Sequence, residues 1–234
     1  MSMEQPPPPP PPPPGSGGGE GTWSSSPANF AMGDALSYGW NAYWKNVGPM
    51  LLIAVVVVAI QIVFSAIANG IDSTFPRVLV QLIGNLVGLL ITLGWLRVAL
   101  EVTNGVKPEL GDVFKANGYG PFILASILFY IGTVIGLILL IIPGIIFIAT
   151  FGFYGFVIAQ RGDGVGVIES LQRSADITRG HRWTLFGMAI VLFLVNIVGV
   201  IACFVGVIFT LGITLISWAY IYRALSGEPV TAWQ

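Results

Sequence analysis

Charge is scarce in this sequence: Asp, Glu, Lys and Arg together make up 9% of its 234 residues, against roughly a quarter of an ordinary soluble domain. So few charges cannot cover a water-exposed surface. The formal net charge of −1, with no Lys/Arg-rich run, excludes the phosphate-binding patch a nucleic-acid partner would require. Cysteine occurs once, as Cys203 inside an apolar run, which excludes an internal disulfide or CxxC metal site and reads as a small core residue. Histidine also occurs once, as His181 in Arg179-Gly-His-Arg-Trp183, with no second His or Cys beside it for a metal. No GxSxG elbow is present, and a Ser–His pair would have to recruit Ser170 or Ser174. No catalytic, metal-binding or cofactor-binding residue is therefore assigned, and no cofactor is expected. The opening residues Met1 to Gln5 lack the basic stretch followed by an apolar one that a cleaved secretory signal needs, so the N-terminus is expected to be retained.

What is present is apolar sequence, 55% of the chain. Four stretches contain no Asp, Glu, Lys, Arg or His: 46–71, 78–96, 116–160 and 183–222. A helix crossing a hydrocarbon core of about 30 Å needs about 20 residues, so the first two stretches hold one span each. The last two, 45 and 40 residues long, must each fold back on themselves. Pro143-Gly144 is the expected break in the third stretch, because Pro removes a backbone donor and Gly permits a left-handed turn. In the fourth, the turn is expected in 199–206, around Gly199 and Gly206. The predicted spans are about 47–70, 77–100, 121–142, 145–160, 183–201 and 204–223, forming a membrane domain over 29–228.

Drawing six spans places Lys45, Arg97, Lys107, Lys115, Arg161, Arg173, Arg179, Arg182 and Arg223 on the side of the N-terminus, and only Arg77 on the other. Lys and Arg accumulate on cytoplasmic loops, so both termini are expected in the cytoplasm. Residues 1–28 read as a disordered Pro/Gly/Ser-rich cytoplasmic tail. Its nine consecutive prolines, Pro6 to Pro14, would extend about 28 Å as polyproline II. This strip is either a solvated spacer or a docking strip for a protein partner.

Three segments on the cytoplasmic side carry helical periodicity. In 32–44, Met32, Leu36, Trp40 and Trp44 recur beside Ala35 and Tyr43; in 109–117, Leu110, Val113 and Phe114 follow Pro108. In 165–179, Val167, Ile168, Leu171 and Ala175 align, Glu169 and Arg173 have ion-pair spacing, and Gly180 ends the run. They read as amphipathic helices at the lipid headgroups, each leading into a hairpin. The fold class is all-α, a polytopic membrane protein with six transmembrane helices in three hairpins and cytoplasmic interfacial helices. Its first partner is the lipid bilayer.

An ionisable side chain deep in a span would mark an ion path or a proton relay, and none is present. Arg97 and Glu101, four apart at the end of the second span, read as an interfacial ion pair. Neutral polar faces do occur in the spans. Gln61 and Ser65 are four apart in the first, and Gln81 and Asn85 in the second. Each pair either hydrogen-bonds between helices or lines a hydrophilic path. Gly84 and Gly88, and Gly132 and Gly136, have the spacing of close helix contacts. Arg173, Arg179 and Arg182 with Trp183 form a candidate headgroup contact.

Ala35-Leu36 with Trp40, Ile141-Ile-Pro-Gly144, Ser170-Leu-Gln-Arg-Ser174 followed by Gly180 and Trp183, and Ala219-Tyr-Ile-Tyr-Arg223 together resemble a group of uncharacterised bacterial six-span proteins. That group is related to the membrane domain attached to some glycerophosphodiester phosphodiesterases, and the proline tract resembles actinobacterial membrane-protein tails. The resemblance covers about 30–225 and implies the topology and a bacterial plasma (inner) membrane. The phosphodiesterase catalytic domain is absent, so no esterase activity follows. Activity stays open between three expectations. The first is a non-catalytic accessory or organising component of a membrane complex. The others are a transporter or permeation path for a lipid or small neutral solute, and a membrane-embedded enzyme.

Overall fold

The computed structural model describes residues 23–24, 31–201 and 205–233. Pro6 to Pro14, Cys203 and the 202–204 link lie outside the described residues. Ten helices are described: α1 (Met32–Lys45), α2 (Val47–Asn69), α3 (Thr74–Thr103), α4 (Leu110–Val113), α5 (Tyr119–Leu139), α6 (Ile141–Phe151), α7 (Tyr154–Arg161), α8 (Val167–Ile177), α9 (Arg182–Ile201) and α10 (Val205–Ser226). Six segments are long and apolar enough to cross a membrane: α2, α3, α5, α6 with α7, α9, and α10. The protein is an all-α polytopic membrane protein. Strand β1 (Trp23–Ser24) pairs antiparallel with β2 (Val230–Thr231), which brings residues 23–24 beside 230–231 at one end of the bundle, hereafter the terminal end.

One expected turn is placed differently, and the other falls within its expected interval. The third stretch turns at Leu140, whose backbone is extended, and Pro143 lies in the first turn of α6. A proline ring clashes with the carbonyl four residues earlier, here Leu139, so α5 ends there; at the start of α6 the missing N–H costs nothing. The junction of α9 and α10 falls within the expected 199–206, but the candidate glycines Gly199 and Gly206 themselves lie inside the two helices. A Cβ on Gly199 would stand 2.4 Å from Thr210 Oγ1, so this glycine serves close helix packing. The paired glycines do the same within hairpins. Gly84 and Gly88 take Phe64 and Gln61 of α2, and Gly132 and Gly136 take Phe147 and Gly144 of α6.

The fourth span, expected as one helix, is broken at Gly152-Phe153 between α6 and α7. The break exposes the Thr150 carbonyl and the Phe153 amide, which in hydrocarbon must find partners. Helix α8 supplies both. Ser174 Oγ donates to Thr150 O at 2.9 Å, Thr178 Oγ1 donates to the same carbonyl at 3.1 Å, and Phe153 N donates to Ser174 Oγ at 3.1 Å. The buried face of α8 is accordingly Ser170, Ser174 and Thr178. Of the apolar stripe expected there, Ile168 is exposed, while Val167 and Leu171 pack at its edge.

The three units, each an interfacial helix followed by a hairpin, are interlocked. Helix α1 packs on α10, α4 on α3, and α8 on α6 and α7. Each interfacial helix thus packs mainly on the second span of the preceding unit, taken in cyclic order, and much less on its own hairpin. At each crossing the inner span carries a small residue followed by an aromatic one: Gly94-Trp95, Gly152-Phe153 and Ser217-Trp218. Small residues let backbones approach. A Cβ on Gly94 would meet Val113 O at 2.1 Å, and one on Gly39 of α1 would meet Ser217 Oγ at 2.1 Å and Ile213 O at 2.8 Å. The face α1 buries is therefore Ala35, Gly39, Ala42 and Tyr43, while Met32, Trp40 and Trp44 stay exposed on its flank.

The second spans form the inner ring. Helix α3 contacts α7 and α10, and α7 meets α10 through Phe156 stacked on Tyr222, with ring centroids 5.5 Å apart. Tyr222 also donates to Gln160 Oε1 at 2.6 Å. The most apolar stretch of α10 is 56% buried and that of the fourth span 39%, against 17% for the first and third spans, which lie outside.

Candidate functional site

Two polar sites stand out from the apolar bulk, one at each end of the bundle. At the end away from the chain termini, α2 and α3 run side by side. The sequence-predicted polar faces meet there: Gln61, Ser65, Gln81 and Asn85 line one groove of about 270 Å³ together with Phe64, Asn69 and Gly84. The groove exists because Phe64 fills the space over Gly84 and the Gln61 amide fills that over Gly88. All four polar residues are exposed on the outside of the bundle. Ser65 Oγ accepts a long bond from Asn69 Nδ2 at 3.5 Å. Gln61, Gln81 and Asn85 have no side-chain hydrogen bond to another described residue. Beyond this groove, Arg77 donates from Nε and Nη2 to Ile71 O at 2.9 and 2.6 Å, closing the hairpin loop.

At the terminal end, the inner spans α3, α7 and α10 converge on a second pocket of about 280 Å³, which Arg97, Glu101, Asn104, Lys115, Gln160 and Arg223 help to line. Arg97 and Arg223 are buried, 7% and 6% exposed. The expected Arg97–Glu101 ion pair does not form. Arg97 Nη1 donates to the Lys115 carbonyl, its guanidinium lies 5.7 Å from the Tyr119 ring centroid, and Glu101 instead meets Lys115 Nζ at 3.5 Å. Lys115 also pairs with Asp112 at 2.6 Å. Asp112 caps the short α4 by accepting from Glu109 N at 2.8 Å. Burial pushes the Asp112 carboxyl up, but hydrogen bonds from Lys115 and Glu109 N outweigh it and hold the group below the usual carboxylate range. The Lys115 ammonium is raised, chiefly by its bond to Asp112.

On the far wall Arg223 Nη1 meets Glu228 Oε2 at 3.3 Å, and Gln160 Nε2 donates to the same carboxylate at 2.9 and 2.7 Å. Asn117 and Asp163 clamp the rim: Asp163 N donates to Asn117 Oδ1 at 2.8 Å, and Gly118 N to Asp163 Oδ1 at 3.0 Å. Sequence reasoning flagged Arg97 and Glu101 but missed Asn104, Gln160 and Arg223 as site residues. Their only local signal was position, since all lie at the ends of inner spans.

The predicted headgroup cluster is divided. Arg179, Arg182 and Trp183 are exposed at the corner between α8 and α9, with Trp183 78% exposed. Arg173 is half-buried on α8. The expected Glu169–Arg173 pair is replaced by Glu169 with Arg161 at 3.4 Å, and Glu169 also accepts from Gly166 N as a helix cap. Ser170 and Ser174 are fully buried and donate to the backbone carbonyls of Val167 and Thr150. Among the described residues no cluster of His, Cys, Asp and Glu could hold a metal ion.

The chain is similar to the uncharacterised protein Rv2560 of Mycobacterium tuberculosis, with 26% identity over 87% of this chain and 71% of the relative. It is similar to the same extent to the uncharacterised protein Mb2590 of Mycobacterium bovis. No solved structure matches it. The model of a domain of unknown function, DUF7847, matches residues 73–232, a segment holding five of the six spans and both walls of the terminal-end pocket, and the chain belongs to that family.

Proposed function

We propose that this protein is a non-catalytic accessory subunit of a complex in a bacterial inner membrane, with both chain ends cytoplasmic, and that it holds a transmembrane helix of a partner in the groove between α2 and α3. One observation carries this reading: Gln61, Gln81 and Asn85 lie on the lipid-facing side of two spans with no hydrogen-bonding partner among the described residues. A primary amide left unpaired in hydrocarbon costs several kcal/mol, on the order of 2 or more. A neighbouring helix presenting its own polar or small residues would recover about 0.6 to 2 kcal/mol per bond. The groove lies outside the bundle. A solute path through the middle would have to pass Leu93, Phe153 and Ile216, which are buried in packed apolar clusters. That favours docking over permeation.

The orientation rests on nine of ten Lys and Arg residues falling at the terminal end of the six-span topology, and the mycobacterial relatives support a bacterial membrane. On this reading the segment Pro6 to Pro14 is a cytoplasmic tether for a second contact with the partner complex. Arg179, Arg182 and Trp183 rest on the headgroups. The kinship with the membrane domain of some glycerophosphodiester phosphodiesterases belongs to the same reading and brings no esterase chemistry.

Site-specific photocrosslinking in native membranes tests the docking. A crosslinker at Ser65 or Gln81 should capture one defined polypeptide, one at Ile138 should capture none, and Gln61→Leu with Asn85→Leu should abolish the adduct. Lipid adducts alone at Ser65 and Gln81 would overturn the proposal.

A further inference from the structure

The terminal-end pocket has a hydrogen-bonding inventory that is incomplete in a definite way. Arg97 has no carboxylate within 4 Å among the described residues, and its Nη2 is buried without a partner. Arg223 uses Nη1 for Glu228 and for Pro229 O, yet its Nε is also buried and unpartnered. The third orphan is an acceptor, Glu101 Oε2. All three groups belong to residues lining the same pocket. The spans α3, α7 and α10 all end here, and the partial negative charge of their C-termini accounts for basic residues nearby. It does not account for guanidinium N–H groups with no carbonyl to meet. A buried N–H without an acceptor is a costly exception that calls for a ligand, an ion or water.

Two unused guanidinium donors ask for an oxyanion, and Arg binds phosphate oxygens with directed, charge-assisted bonds. The unused carboxylate oxygen asks for a hydroxyl donor beside that oxyanion. Asn104 and Lys115 add further donors at the exposed rim. Arg97 lies about 9 Å from the end of α3 by helical rise, a depth suited to the headgroup region. We infer that the pocket between Arg97 and Arg223 is a binding site for a phosphate group that carries an adjacent hydroxyl, its oxygens taken by the two guanidinium groups and its O–H donated to Glu101. Inorganic hydrogen phosphate and a hydroxylated phospholipid headgroup share this chemistry. The site is at the opposite end of the bundle from the α2–α3 groove and stands independently of it.

The test uses the full chain. In detergent, the thermal midpoint is followed during titration with sodium phosphate against sodium chloride at matched ionic strength. In nanodiscs, native mass spectrometry compares retained phosphatidylglycerol, which has the hydroxyls, with phosphatidylcholine, which lacks them. A saturable rise with inorganic phosphate identifies the free anion as ligand; phosphatidylglycerol retained in excess without such a rise identifies the headgroup. Arg97→Gln keeps a donor for the Lys115 carbonyl but removes the charge, and Asn104→Asp places a carboxylate at the exposed rim without touching the core. Each should weaken binding by roughly tenfold or more, as expected for a charge change within several ångströms. Saturation by neither probe, or binding by a folded variant equal to that of the natural sequence, overturns the inference.

Discussion

Ser174 Oγ lies 2.9 Å from the carbonyl oxygen of Thr150, 24 positions earlier in the chain, and so holds open a break in the fourth span. The same hydroxyl accepts from Phe153 N. One small side chain on an interfacial helix therefore serves both backbone groups that the interruption releases.

Ser174→Ala leaves Phe153 N without an acceptor, while Thr178 still serves Thr150 O. A buried unsatisfied donor costs about 1–3 kcal/mol. The variant is expected to unfold at a lower temperature in detergent and to lose amide protection at Phe153. An unchanged midpoint with unchanged protection would show that Ser174 contributes nothing to the break.

Gly94 and Gly111 make a controlled pair. A Cβ on Gly94 would lie 2.1 Å from the Val113 carbonyl, whereas nothing lies within 4 Å of one on Gly111. Overpacking of this kind typically costs about 1–3 kcal/mol. Gly94→Ala should displace α4 and expose residues 109–115 to hydrogen exchange. Gly111→Ala should not, and equal behaviour of the two would contradict the α3–α4 contact.

The Asp112–Lys115 pair sets a pH window for α4. The Asp112 carboxyl is depressed in the folded protein, so its contribution is present above the ordinary carboxylate pKa of about 3.9 and is lost as pH falls through the lower folded value. The Lys115 ammonium is raised, so its contribution is present below about 10.4 and is lost as pH rises through the higher folded value. Hydrogen exchange at 109–114, corrected for intrinsic rates, should show protection between these limits and loss on either side. Asp112→Asn should remove the acid step; an acid step that persists in that variant would assign it elsewhere.

Ser73 and Gly164 are both exposed at opposite ends of spans. In a Cys203→Ser background, an impermeant thiol reagent applied to intact cells should label Ser73→Cys and spare Gly164→Cys. Labelling of both or of neither would refute the orientation.

Apolar length and punctuation decided the membrane architecture within the sequence itself. Uncharged stretches of 45 and 40 residues cannot be single spans, so six crossings and three hairpins were legible, as were the two polar faces that meet between α2 and α3. The faces of the spans were not legible. A soluble helix reveals its buried side by hydrophobic periodicity, but a span is apolar all round because lipid is as apolar as the core. The inward sides were chosen by small and hydroxylated residues instead, Gly39 against Ser217, Gly94 against Val113, Ser174 against Thr150. Four-residue spacing also misjudged Arg97–Glu101 and Glu169–Arg173, because partners from other elements, Lys115 and Arg161, lie within reach. The meeting of Arg97 with Arg223, 126 positions apart, depends on three inner spans converging at one end. Local sequence fixes how often the chain crosses the bilayer; only packing between distant spans fixes what those crossings enclose.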